Sequence, residues 1–484
     1  MKIRLLAALS ASLLSLATPA LTSPALAQSA PRALSASDVQ QAQQQHPQMV
    51  EQFGGELTGP LADYVAGVGR RLAPQTNLAS NYRVTVLNSP VRNAFAVPGG
   101  YVYVTRELLA LMNSEDELAF VLGHEMGHVA ARHGQKRQTR STITGIGAAI
   151  AQVLTGSDVV GQVAGQVGQG LLLGYSRGQE NESDSLGVRY MSAAGYDPYA
   201  APRMLSAMGA AESLDAQVAG RQQSQTPSWS RTHPLSADRV QRTRALAAQQ
   251  RPAGIPSPQS RDRFFAAIDG MTYGDDPRQG IVDGRQFRHP GLRFKFTAPQ
   301  GYTIENGTSA VTIAGSGGQA QFGTGRLSGS LDGYVGQVFR SLSSGSGALN
   351  LPATQTSTIN GMPVAYATTR ASANRTQVDV TVTAYRWDAD TAYHFVTIVP
   401  AGAGIGPFRE TLNSLAPMSA SEAAAVRRRV IDVVTVQRGD TARVLAARMA
   451  FADYQLERFL VLNGLEANAT LQPGTKVKLI VYGS

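Results

Sequence analysis

The sequence contains no cysteine. That excludes disulfides, a lipid-modified N-terminal cysteine and any thiol chemistry, so an exported form would be held by its core or by metal. Beyond the N-terminus there is no run of eighteen or more apolar residues, and so no obvious membrane-spanning helix. There is no Lys/Arg run interleaved with aromatics, which argues against nucleic acid as a partner. What is present is a chain of 484 residues, 43% apolar, with a formal charge of +9. Such a length exceeds one compact core and predicts about two to four domains. The basic charge is mostly Arg spread along the chain, which favours anionic lipid or cell-wall polymer only weakly.

The first residues read as an export signal. Lys2 and Arg4 precede a short apolar stretch at 5–16, and Ala25-Leu26-Ala27 before Gln28 is a small-x-small cleavage site. A membrane anchor is the alternative, but the stretch is short and ends in Thr, Ser and Pro. The expected compartment is a bacterial periplasm, with full secretion as the other possibility.

Residues 28 to about 50 are polar and Gln-rich and read as a loose leader. Helical patterning begins near Leu57, and 82–87 alternates like a strand. Ala94-Phe95-Ala96-Val97 and Tyr101-Val102-Tyr103-Val104 are two apolar strands around Pro98-Gly99-Gly100, the pattern of a tight hairpin. Ser114-Glu115-Asp116-Glu117 is a capping box starting a helix expected to reach His133 and stop at Gly134. Residues 142–174 are rich in Ile, Val, Ala and Gly. Asp158, several Gln and the glycines favour packed helices near the site, with membrane-surface contact as the alternative. A further helix fits 180–194, ended by Gly195 with Pro198 beyond it. Residues 216–232 read as a polar loop, and 249–262, with three prolines, as a linker. From about 285 to 418, short strand-like runs predict a separate unit in which His289 and His394 are lone, structural histidines. The last fifty residues read strand, two short helices, and a closing strand after Pro473-Gly474. The predicted fold class is multidomain α+β: a signal peptide at 1–27, a catalytic domain at 28–250, a β-rich α+β domain of unknown role at 263–420, and a small βααβ domain at 430–484.

Chemistry concentrates in Gly123-His124-Glu125-Met126-Gly127-His128. Two imidazoles four apart on a helix lie one turn above each other and can hold one zinc ion. Glu125 then reaches the open side of the metal and can act as general base on its water. His-Glu-x-x-His arises by accident only ~0.003 times in a chain of this composition. Zinc needs a third protein ligand, leaving the fourth position to water. His133, five residues past His128, is turned far round the helix, and no distant His with a Gly follows. A Glu from a second helix is the remaining type. Glu180 and Asp184, at i and i+4, share a face: Glu180 can ligate, and Asp184 can accept the free ring N–H of a ligand His and fix its tautomer. Glu182 points about 200° away from Glu180 and is the weaker ligand candidate. A solvated acidic helix start is the plain reading of 180–184; beside the zinc motif, the ligand reading of Glu180 is preferred. The site so read is of the gluzincin type, with one zinc per chain.

Taken together, Asn93-Ala94-Phe95-Ala96-Val97-Pro98-Gly99-Gly100, the motif at 124–128, Ser-Arg-x-x-Glu-x-Glu-x-Asp at 176–184, Gly195-Tyr196-Asp197-Pro198 and Thr232-His233-Pro234 resemble the bacterial HtpX/BepA peptidase family. The mitochondrial Oma-type and the CAAX prenyl proteases are its relatives. The resemblance covers about residues 50–248, with the motifs in order. It implies a mostly helical, zincin-like zinc endopeptidase domain working in membrane or envelope protein quality control. Ser183 departs from the family's usual Ala, and the lack of transmembrane helices, unlike HtpX, points to the soluble periplasmic branch. The resemblance places His233 near the metal, as a donor to the oxyanion or as a zinc ligand in a resting, closed state; capping the helix that begins at Pro234 is the plain alternative. Arg239, on the same helix, is a weaker candidate for oxyanion or structural support. The hairpin, with Asn93, Phe95, Ala96 and Val97, would offer an edge strand to an extended substrate, a backbone grip that tolerates many sequences.

The C-terminal unit resembles a LysM domain through Val434-Thr435-Val436-x-x-Gly439-Asp440-Thr441, Leu462-Asn463-Gly464-Leu465 and Leu471-x-Pro473-Gly474-x-Lys476-Val477. The resemblance implies a βααβ fold that binds N-acetylglucosamine polymers such as peptidoglycan. Ala442 and Arg443 depart from the usual residues, so a docking module without glycan binding stands as the alternative. The function expected is a zinc metalloendopeptidase acting on unfolded or misassembled envelope proteins. A wall-associated chaperone or scaffold with a closed zinc site, or a peptidoglycan peptidase, are the competing readings.

Overall fold

A computed structural model describes residues 33–76, 78, 82–134, 175–218, 233–234, 237–250, 258–307, 310–343, 353–373 and 376–483. The expected signal peptide at 1–27, the apolar region at 142–174 and Thr232 lie outside the described residues. Among those described, no helix is long and apolar enough to cross a membrane.

Two helices lead: α1 (Ala36–Gln52), capped by the Ser35 side chain, and α2 (Pro60–Leu72), with Pro60 at its first turn where no N–H is missed. The strands β1 (Arg83–Leu87), β2 (Ala94–Val97) and β3 (Tyr101–Thr105) follow. β2 and β3 form the predicted hairpin, with Ala96 opposite Val102. Gly99 and Gly100 turn it at φ +100 and +84, which only glycine adopts without strain. β1 pairs in parallel with β3, so the sheet order is β1-β3-β2 and β2 is an edge.

Helices α3 (Arg106–Leu111) and α4 (Glu115–Ala130) come next, α4 capped by Ser114, whose hydroxyl accepts from Glu117 N–H. Every residue of α4 from Glu115 to Val129 is buried, so this is a core helix rather than an amphipathic surface one. It stops at Ala130, short of the expected His133, because Arg132 takes a left-handed φ of +55. The next described helix, α5 (Arg177–Ala193), starts earlier than expected because Ser176 and Gln179 form a reciprocal capping box. α4 and α5 pack through glycine: a Cβ on Gly187 would lie 3.0 Å from His124 N, and one on Gly127 3.1 Å from Leu186 Cβ. Helices α6 (Ala200–Val218) and α7 (Ala237–Gln250) complete this layer. The segment read as a linker at 249–262 is in part helix α8 (Pro258–Ile268), because Phe264, Phe265 and Ile268 form an apolar face, fully buried in the same core as α4.

The middle region is a seven-stranded antiparallel sheet running, edge to edge, Gln355–Ile359, Met362–Ala373, Thr376–Arg386, Thr391–Pro400, Gly318–Arg326, Val311–Gly315 and Thr303–Asn306. The helix Leu331–Ser343 covers one face through Val335 and Phe339, and Phe287, Phe294 and Phe296 of a four-stranded sheet cover the other. The C-terminal region runs strand, helix, helix, strand: Arg429–Thr435, Ala442–Ala446, Gln455–Asn463 and Lys476–Tyr482. Thr272–Tyr273 adds a third strand beside Arg429 and Val430. Leu445, Phe459, Leu479 and Ile480 belong to the same hydrophobic core as α4. Fully buried Lys478 donates from Nζ to the carbonyls of Ala110 and Met112, at 2.6 Å each.

Candidate metal centre

The helix α4 brings His124 and His128 to one face, α5 supplies Glu180 opposite, and His233 enters from the chain just before α7. All four are buried, and one donor atom from each lies within 4.8 Å of the others. His124 Nε2 is 3.0 Å from His128 Nε2 and 3.2 Å from His233 Nδ1. Glu180 Oε1 is 3.0 Å from His233 Nδ1 and 3.4 Å from His128 Nε2, while Oε2 is 3.7 Å from His124 Nε2. Four ligands at about 2.0–2.1 Å from a tetrahedral zinc ion sit about 3.3 Å from one another. The observed spacings bracket that value, so the residues present fit a single metal ion.

Around the four, carboxylate and guanidinium groups fix the orientation. Asp184 Oδ1 lies 3.0 Å from His124 Nδ1, which leaves Nε2 directed at the cluster. Arg239 grips Asp184 with Nε and Nη2, each at 2.8 Å, and places Nη1 2.8 Å from Glu180 Oε2. Its Nη1 also donates to the carbonyls of His233 and Pro234, at 3.3 and 3.1 Å, tying the His233 segment to α7. Burial would push the Asp184 carboxyl up, but Arg239 and His124 outweigh it and hold the group below the usual range. Burial likewise opposes ionisation of Glu180, yet the neighbouring His233, His128 and His124 carry it far the other way. His128 is pushed well below the ordinary imidazole range by burial, whereas the pull of burial on His124 is overcome by Asp184 and Glu180.

Glu125 is fully buried beside the cluster, with Oε1 3.5 Å from His233 Nε2. The residues read as substrate-binding divide. Ala96 and Val97 of the edge strand line a cleft with His128, Val129 and Tyr175. The Phe95 ring instead packs against Phe53 and Tyr103, with centroids 4.9 and 4.8 Å apart, and Asn93 is buried with its N–H on Thr105 Oγ1. Two residues at the site were not singled out by sequence reasoning. Tyr175 stacks on the His128 ring at a centroid distance of 3.8 Å and 20°. His133, set aside on helical spacing, has Nδ1 2.9 Å from His128 Nδ1. His133 is not among the four donors, as the sequence reading held; the left-handed turn at Arg132 instead sets it against the far nitrogen of His128, and no sequence pattern marked that turn.

A buried His-x-x-x-His pair on a core helix, joined by a carboxylate from a second helix, is a ligand set suited to one metal ion. Residues 61–247 match Peptidase family M48. The chain is 32% identical over 228 residues to a beta-barrel assembly-enhancing protease of Yersinia pestis, covering 45% of each chain. It is 31% identical over 208 residues to the mitochondrial metalloendopeptidase OMA1 of Schizosaccharomyces pombe, covering 42% of this chain and 58% of that one. To the beta-barrel assembly-enhancing protease of Escherichia coli O157:H7 it is 29% identical over 223 residues, covering 43% of this chain and 42% of the other. The chain thus spans about half the length of the curated relatives it matches.

Proposed function

We propose that the chain is a zinc-dependent metalloendopeptidase of the periplasm that cleaves misfolded or misassembled envelope proteins. The observation that carries this reading is the convergence of His124, His128 and Glu180 on one point, with the Glu125 carboxylate beside it. Names borne by relatives, beta-barrel assembly-enhancing protease and metalloendopeptidase, support it, and the export-signal reading of 1–27 supports the compartment.

Zinc held there would act as a Lewis acid, polarising the scissile carbonyl and acidifying a water molecule. Glu125 takes a proton from the attacking water and returns it to the leaving amine. Asp184 keeps the His124 proton on Nδ1, so that Nε2 stays a donor to the ion. Arg239 neutralises the two carboxylates and fixes His233 above them. The edge strand β2 offers its backbone to an extended chain beside His128, a grip that suits unfolded segments of varied sequence.

The proposal is tested by incubating the zinc-loaded full chain with casein, beside a Glu125→Gln variant of equal zinc content. Cleavage by the wild type, reduced about 10²- to 10⁴-fold in the variant, is the expected result. The proposal is rejected if both zinc-loaded proteins leave casein intact and His233→Ala does not restore cleavage.

One observation favours a second reading, a site held closed. His233 Nδ1 occupies the fourth donor position that a catalytic centre leaves to water. In that case His233→Ala restores cleavage to a latent wild type; if His233 instead aids the reaction, the same change lowers it.

A further inference from the structure

We infer that His133 and Glu182 form a positioning relay that commits His128 to the metal through Nε2. The inference rests on the metal reading above and concerns residues outside the four donors.

The placement of protons follows from the geometry. His128 Nε2 faces the cluster, so as a metal donor it carries no hydrogen there, and its proton sits on Nδ1. That Nδ1 is 2.9 Å from His133 Nδ1, which must therefore accept. His133 then holds its own proton on Nε2, 3.1 Å from Glu182 Oε2, which accepts in turn. Ser183 Oγ, 3.3 Å from His133 Nδ1, is a second donor aimed at the same lone pair. With the His128 proton on Nδ1, the His133 ring accepts at Nδ1 and donates from Nε2, which leaves Nε2 of His128 open to the cluster.

The two imidazoles are thus served differently. His124 has a carboxylate directly on its far nitrogen, Asp184 at 3.0 Å. His128 reaches its carboxylate one ring further out, through a His133 that is fully buried, to a Glu182 whose side chain is 54% exposed. The backbone is shaped for this contact. Arg132 takes φ +55, a region costing a non-glycine residue about 1–3 kcal/mol, and that turn carries His133 back over His128. Tyr175, stacked on the face of the His128 ring, restrains that ring from turning away from the relay.

The test uses the full chain and zinc alone, titrated in competition with a chromophoric chelator. His133→Phe keeps a ring but has no acceptor; zinc affinity is expected to fall about 10- to 100-fold. His133→Gln can accept from His128 and donate to Glu182, and is expected to restore most of it. In the cobalt-loaded protein the His128 Nδ1–H should give a slowly exchanging proton resonance in the wild type and in His133→Gln, lost to solvent exchange in His133→Phe. Glu182→Ala, at a half-exposed position where folding is not at stake, should weaken zinc binding several-fold. Wild-type affinity in His133→Phe, or in Glu182→Ala should the first variant not fold, overturns the relay while leaving the metal site standing. A wild type that binds no zinc overturns both.

Discussion

Arg239 ties the two carboxylates of the site to the backbone that carries His233. It binds Asp184 through two nitrogens, approaches Glu180 with a third, and holds the backbone at 233–234. Removing one partner of a buried ionic set leaves the other charges uncompensated and costs about 3–5 kcal/mol. Arg239→Met is therefore expected to lower both the denaturation midpoint and zinc affinity. Arg239→Lys, which cannot reproduce the planar fork, should recover only part of either. Chelator competition and urea unfolding on the same samples would check this; unchanged values in Arg239→Met would refute it. A different residue sets an acid sensitivity far from the site. Burial pushes His394 down to about 4, its ring packed over Gly323 with Nδ1 2.9 Å from the Tyr334 hydroxyl. The unfolded chain protonates this imidazole near pH 6.5 and the folded one does not, so stability falls as pH drops from about 6.5 toward about 4. His394→Gln should flatten that part of the urea midpoint–pH curve for the middle region; a slope equal to the wild type's would show that other groups cause it.

At the scale of elements, the distance between α4 and α5 decides whether the cluster closes. A Cβ on Gly187 would sit 3.0 Å from His124 N and 3.2 Å from His124 Cα, both backbone atoms of the helix that carries the two histidines. Gly187→Ala must push α5 away and move Glu180 with it. The expected cost is about 1–3 kcal/mol together with weaker zinc binding. Gly209→Ala on α6 is the control: a Cβ there meets nothing within 4 Å, so the change should stabilise by about 0.5–1 kcal/mol. Thermal melting of the two variants should move in opposite directions, and a stabilised Gly187→Ala would contradict the packing argument. The Ser114 cap and the hairpin glycines were legible as sequence, because each depends on residues a few positions apart; the Ser176–Gln179 box that starts α5 was not read. The early stop of α4 was not legible, since a left-handed Arg132 has no local composition signal.

Across the whole molecule, the C-terminal strands and helices complete the hydrophobic core around α4 instead of hanging beside it. Lys478 is the clearest link: burial lowers its pKa well below the ordinary lysine range, opposed by Glu117, and its Nζ serves two carbonyls just ahead of α4. Lys478→Met would leave those carbonyls without a donor, at about 1–3 kcal/mol for each. Deleting 430–484 would expose Phe264, Phe265 and Ile268 of α8 together with α3. The expected outcome is an aggregating product without a cooperative melt. A soluble, zinc-binding fragment ending near 428 would show the two parts to be independent.

The sequence by itself determined which side chains could hold a metal ion and their local frame. His124 and His128 fall on one helix face, with Glu125 next to the first, because the α-helical period is set by the backbone alone, and the same spacing puts Glu180 and Asp184 on a common face of α5. Only the tertiary structure decided what those faces meet. It brought His233 and Arg239 to the cluster from α7 and its approach, turned His133 back onto His128, set Phe95 into the core away from the cleft, and joined the C-terminal strands to the core of α4. Each of these rests on contacts between residues distant in the chain, or on one backbone angle chosen to satisfy them, and neither leaves a periodic trace in sequence.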